Sequence, residues 1–170
     1  RCEGPATCFE RSADAIEALQ DGRIQPGHVV VMRGAGVRGG PAMGGGASKV
    51  VFAIDGAGLG DHVAMLTDGH LSGLVCKGLV VAEVAPEAAV GGPLALVEDG
   101  DIITIDLDHN RLDAHISETD MQARRARWQP LAPQFGGGWL DIYRHNVSSM
   151  ERGAVLIKPR AITHAGDQSQ

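Results

Sequence analysis

The sequence predicts a β-rich domain with a few short helices, its strands forming a closed or half-closed sheet. Two observations lead there. Short apolar runs recur through the chain, at 28–32, 63–66, 78–84, 94–97, 102–107 and 112–116, separated by glycine, proline, aspartate and asparagine. Apolar residues at helical spacing are confined to a few brief windows.

The first window is 12–22, where Ser12 is an N-cap candidate, Ala15, Ile16, Ala18 and Leu19 share a face, and Gly22 follows the end. Pro26-Gly27 then turns the chain into a strand over 28–32, whose valines suit a pleated surface. Residues 48–55 are apolar but too few for periodicity to separate helix from strand. Strands are expected over 63–66 and 78–84, with Pro86 opening a single helical turn. Three short strands at 94–97, 102–107 and 112–116 are close enough to form a meander. Ser117 to Asp120 reads as a capping box before a basic helix over 121–128, stopped by Pro130. A loop over 131–138 precedes a last helix over 139–149 that is expected to dock its Trp, Ile, Tyr and Val face. The expected domain is 1–164, with a disordered polar tail at 165–170.

At 170 residues the chain has the size of one ordinary domain. Its 15 Lys+Arg against 21 Asp+Glu give a net charge of -6 without a basic run, which argues against nucleic acid as a partner. No apolar run approaches the roughly 20 residues of a membrane span, and the first residues lack the pattern of a secretory signal. A cytoplasmic protein is expected. Cys2, Cys8 and Cys76 match neither a disulfide framework nor a zinc pair, which suits a reducing compartment. The start at Arg1 suggests a piece of a longer polypeptide.

After the strand at 28–32, Gly34, Gly36 and Gly39 satisfy G-x-G-x-x-G. In a dinucleotide site the last glycine opens a helix, whereas here Gly40-Pro41 and Gly44-Gly45-Gly46 follow, residues that are not expected to start one. A loop whose backbone N–H groups line an anion pocket and a plain surface loop are the remaining readings. The run over 64–73 ends abruptly in Asp68-Gly69 and Ser72-Gly73, both turn-forming pairs. Ser72 is either a solvated turn serine or a hydroxyl aimed by the backbone.

Five segments in order, Gly39-Gly40-Pro41-Ala42-Met43, Gly56-Ala57-Gly58-Leu59-Gly60, the motif from Thr67 to Gly73, the motif from Ala85 to Pro93, and Glu98-Asp99-Gly100-Asp101, decide between these. With Glu3-Gly4-Pro5-Ala6 ahead of them, they resemble the carboxy-terminal domain of the dihydroxy-acid and phosphogluconate dehydratase family. The resemblance implies a swivelling β/β/α barrel-like domain that closes on an amino-terminal domain, in a homodimer. It implies loss of water from a 2,3-dihydroxy carboxylic or sugar acid to give a 2-keto acid, with Ser72 as the base at C2. Gly73, Gly39, Gly40 and His70 would meet the substrate, through backbone N–H groups in the glycines' case. The iron-sulfur cluster and magnesium would lie mainly on the amino-terminal part.

Departures from the family pattern set limits on this. Gly44, Gly45 and Gly46 stand where a magnesium-binding glutamate is usual, His70 where an arginine is frequent, Leu74 where a small residue is frequent and Glu83 where a histidine is. Asp68 or Asp55 is then the remaining candidate for a metal-binding acid in this chain. A non-catalytic regulatory or interaction relative is the alternative function, and a nucleotide-binding module a third.

Overall fold

The structure, a computed structural model, describes residues 1–40, 45–130 and 137–156. The expected tail at 165–170, most of the loop at 131–138, and Pro41 to Gly44 lie outside the described residues. Six strands form one mixed sheet: β1 (Cys2–Phe9), β2 (Val29–Met32), β3 (Ala64–Thr67), β4 (Leu79–Val81), β5 (Ile102–Asp106) and β6 (Arg111–Ala114). Their order is β4-β3-β2-β1-β5-β6, and the sheet curls into a half-barrel with four short helices. The expected β-rich, half-closed domain is therefore the one observed.

β1 joins two halves of different polarity. Residues Ala6 to Phe9 pair parallel with β2, while Cys2 to Pro5 pair antiparallel with β5. The switch falls at Pro5, opposite which β2 has not yet begun, so its missing N–H breaks no bond on that side. Gly4 is needed just before it, because a Cβ there would lie 1.8 Å from the Gly27 carbonyl oxygen. Sequence reasoning assigned no element to residues 1–11 and so missed β1.

Beyond β1, β2, β3 and β4 are mutually parallel. β2 is buried throughout, because both faces of the sheet are covered. Val30, Met32 and Met65 face α1 (Ser12–Gln20) and α2 (Gly45–Gly56), meeting Ala15, Ala18, Val50, Val51 and Ile54. Val29, Val31 and Leu66 face the opposite way, toward Ala88, Leu94, Val97, Ile103 and Ile105.

Several expectations are corrected. Residues 94–97 are not a strand: Pro93–Leu96 is a 3-10 turn with proline at its start, burying Leu94 and Leu96, so the meander reduces to the β5-β6 hairpin. The turn after Pro86 sits at Ala88–Val90. Ser12 makes no capping bond, the N-cap position being Arg11. α3 (Glu118–Arg127) carries the expected Ser117 cap, whose side chain accepts the Asp120 N–H, but starts three residues before the expected 121. In α4 (Gly138–Asn146) Trp139 and Ile142 are left exposed, and only Val147 after it is fully buried.

The largest correction is α2, which does start at Gly45. Burial of Ala47, Val50, Val51 and Ile54 outweighs the roughly 1 kcal/mol that each interior glycine costs. A Cβ at Gly46 would meet nothing within 4 Å. Gly46→Ala is therefore expected to stabilise the domain by about 0.5–1 kcal/mol, read as an upward shift of the urea midpoint at unchanged slope.

Candidate functional site

The loops that follow β2, β3 and β4 leave the carboxyl ends of parallel strands, where open α/β sheets place their ligands. Two buried carboxylates draw these loops together. Asp68, fully buried, accepts the Gly34 N–H (3.0 Å) and Ala88 N–H (2.8 Å) on one oxygen and the Ala35 N–H (2.9 Å) on the other. Glu87 accepts the Arg38 N–H (3.2 and 3.0 Å) and the Gly39 N–H (3.1 Å).

Packing is close enough here that side chains are excluded. A Cβ on Gly36 would lie 2.3 Å from a Glu87 carboxylate oxygen, and one on Gly69 would lie 2.7 Å from the Ala35 Cβ. Burial pushes the Glu87 carboxyl above its ordinary value of 4.5, with the Arg38 and Gly39 amides opposing and the neighbouring Asp68 charge adding to the rise. Between 4.5 and that raised value the folded chain holds a proton that the unfolded chain has lost. Stability from this group is thus present at the acid end of the window and is lost as pH rises through it. Glu87→Gln is expected to remove this falling slope, checked by urea midpoints at successive pH values upward from 4.5.

Ser72 is half-buried in the loop after β3. Its N–H donates to the Ser48 hydroxyl at 2.8 Å, fastening the loop to the first turns of α2, and its carbonyl accepts the Val75 N–H. Its own hydroxyl oxygen accepts the Leu74 N–H at 3.3 Å. Gly73 and Leu74 beside it are exposed. His70 lies two residues back, its Nδ1 2.6 Å from the Glu83 carboxylate.

Asp68 ties the loop that carries His70, Ser72 and Gly73 to the start of the loop that carries Gly39 and Gly40. The amides of the glycine-rich loop are already engaged, however. Those of Gly34, Ala35, Arg38 and Gly39 go to Asp68 and Glu87, and that of Gly40 to the Gly36 carbonyl. Asp68 is likewise spent on backbone N–H groups, and Asp55 sits near the far end of α2, 3.9 Å from Lys77. Sequence reasoning missed the roles of Glu87, Ser48 and Glu83. It also missed Arg38, whose guanidinium donates to the Val147 carbonyl (3.2 Å) and so ties the segment after α4 to this loop. For Glu87, the only signal was its place in the Pro-Glu-Ala-Ala segment.

Among the described residues no group of three or more His, Cys, Asp or Glu is placed to hold a metal ion. The cysteines are apart: Cys2 and Cys8 on β1, Cys76 in the exposed part of the Ser72 loop. Burial pushes the Cys8 thiol up to about 12. These residues by themselves do not fit an iron-sulfur cluster or a magnesium site. A cavity of about 620 Å³ opens at the amino ends of β3 and β4, lined by Arg1, Asp61, His62 and Gly78, and Ser72 is not among its lining residues. No helix among the described residues is long and apolar enough to cross a membrane.

A family model described as dihydroxy-acid/6-phosphogluconate dehydratase C-terminal matches residues 1–154, and the chain belongs to that family. A dihydroxy-acid dehydratase from Lachnospira eligens is 47% identical over 154 residues, 91% of this chain and 27% of that protein. One from Chloroflexus aggregans is 49% identical over 155 residues, 89% of this chain and 27% of its own length. One from Synechococcus sp. (strain JA-3-3Ab) is 49% identical over 152 residues, 89% of this chain and 26% of its own length. The chain spans roughly a quarter of the length of these relatives.

Proposed function

We propose that this chain is the carboxy-terminal domain of a hydro-lyase that converts a 2,3-dihydroxy carboxylic acid, or a sugar acid of that pattern, to a 2-keto acid. The observation that carries the reading is the presentation of Ser72. Asp68 fixes the start of its loop and Ser48 holds the Ser72 N–H, while Ser72 itself is half-buried.

Ser72 Oγ takes the C2 proton. A developing charge on that oxygen would be met by the Leu74 N–H, and Ser72 lies against the first turns of α2, where helix amide dipoles favour negative charge. A serine hydroxyl needs more than this to ionise, and the rest is assigned to the part of the protein ahead of this chain. The magnesium ion and iron-sulfur cluster of the reading belong there too. Gly73 and His70 face the substrate. Gly39 and Gly40 contribute close approach of the main chain rather than free N–H donors. The parent protein is a cytoplasmic homodimer in this reading.

The test uses the full-length parent, purified without oxygen and assayed for 2-keto acid from 2,3-dihydroxyisovalerate and from sugar acids, with iron and sulfide measured alongside. Turnover that tracks cluster content is expected. A cluster-free protein without turnover on any of these acids would instead mark a regulatory or interaction relative.

A further inference from the structure

We propose that Ser48 is the positioning residue for Ser72: its hydroxyl holds the Ser72 amide and so sets where Ser72 Oγ stands when the C2 proton is taken. This rests on the reading of Ser72 as the base given above. Three observations carry it.

The first is where the anchor sits. Ser48 is the fourth residue of α2 and 3% exposed, on a helix whose Ala47, Val50 and Val51 are buried in the core. Close packing of this kind leaves a helix little room to shift. The Ser72 N–H donates to the Ser48 hydroxyl at 2.8 Å, across twenty-four residues of sequence. The main chain of the base is thereby referenced to a packed helix, while Gly73 and Leu74 of its own loop are exposed.

The second is how little freedom remains between that tether and Oγ. The Ser72 carbonyl accepts the Val75 N–H at 3.0 Å. With N–H and carbonyl both held, the hydroxyl oxygen moves only about χ1, among a few staggered positions. The Leu74 N–H, 3.3 Å from Oγ, favours one of them. The bonds from Val75 and Leu74 lie inside the turn and travel with it. The bond to Ser48 is the one that fixes the turn against α2.

The third is a pattern among the buried polar side chains at this end of the sheet. Asp68 accepts the amides of Gly34, Ala35 and Ala88, Glu87 those of Arg38 and Gly39, and the Thr67 hydroxyl that of Gly69 at 3.0 Å. Each holds the main chain of a loop. Ser48 does the same, and the amide it holds belongs to the base itself. Proton transfer requires the accepting oxygen close to the reacting bond, and a misplacement of about 1 Å can cost about 10²-fold in rate.

The test uses the full-length enzyme and the acid it turns over faster, 2,3-dihydroxyisovalerate or a sugar acid, carrying hydrogen or deuterium at C2. Ser48→Ala is expected to lower kcat about 10- to 10²-fold with KM nearly unchanged. It should also enlarge the deuterium isotope effect on kcat, because proton removal slows relative to the other steps. A defect that only reduces the folded fraction leaves that isotope effect as it was. Ser48→Thr keeps the hydroxyl and should recover most of the rate, whereas Ser48→Val, of the same shape without it, should not. This pair decides the matter if the alanine variant does not fold. In a Ser72→Ala background, Ser48→Ala should cost nothing further, since no hydroxyl is left to place. Full rate or an unchanged isotope effect in Ser48→Ala, a further loss on top of Ser72→Ala, or equal rates in the Thr and Val variants overturns the positioning role while leaving the dehydratase reading intact. A parent enzyme without turnover, or one indifferent to Ser72→Ala, overturns the reading of Ser72 as well.

Discussion

Replacing Ser72 with alanine is expected to lower 2-keto acid formation by the full-length protein about 10²- to 10⁴-fold, the contribution of a positioned proton acceptor. The loop should survive the change. What anchors it is main chain, the Ser72 N–H on Ser48 and the Ser72 carbonyl on Val75, neither of which needs the side-chain hydroxyl. The one bond the hydroxyl accepts, from the Leu74 N–H at 3.3 Å, is long and exposed. A fall in kcat with KM and thermal stability nearly unchanged is therefore the expected pattern. Turnover indifferent to the substitution would remove Ser72 from the chemistry.

Asp68→Ala should act on the fold itself. Three N–H groups, of Gly34, Ala35 and Ala88, would lose their acceptor at once, in a place that water does not reach. An orphaned buried donor costs about 1–3 kcal/mol, so a loss of at least about 3 kcal/mol is expected, set against a typical total of about 5–15 kcal/mol. Urea unfolding measures it. Asp68→Asn keeps one acceptor oxygen and should lose less. Asp113→Ala, at a half-exposed strand position paired only with exposed Arg111, should stay within about 0.5 kcal/mol of the parent. Equal stability in Asp68→Ala and the parent would mean that the three loops are held by something else.

Much of the fold was legible because the signals were local. β2, β3 and the β5-β6 hairpin announced themselves by short apolar runs between turn residues, and α3 by its Ser117 cap. What was not legible depended on residues far away. Pro5 sits inside a strand because β2 starts one residue later, and Gly45 opens a helix because α1 and the sheet bury its far side. Residues 94–97 have the composition of a strand, but Pro93 leads them into a 3-10 turn over the second core.

The site divides in the same way. Asp68-Gly69 and Ser72-Gly73 stood out as motifs, so the place was visible before the structure. The job of Asp68 was not, since its partners are main-chain N–H groups 33 or 34 residues upstream and 20 downstream, to which side-chain identity gives no clue. The contact of His70 with Glu83 was hidden for a related reason. Glu83 meets the imidazole from a backbone conformation that its residue type disfavours.

The double allegiance of β1 bears on how the domain is made. During synthesis its residues emerge ahead of the other strands of this sheet, and the partner for their second half, β2, follows within a few tens of residues. The partner for the first half does not: Cys2 waits for Ile105. Until then one edge of β1 from Cys2 to Pro5 has no strand beside it, a sticky margin on a nascent chain. Closing so distant a pairing is a slow event by the usual dependence of folding rate on sequence separation. The parallel half, with β1, α1, β2, α2 and β3 in sequence, can gather while the ribosome is still working. The hairpin of β5 and β6 then completes the sheet as a late arrival, and changes that weaken it should show in the yield of newly made protein before they show in the finished molecule.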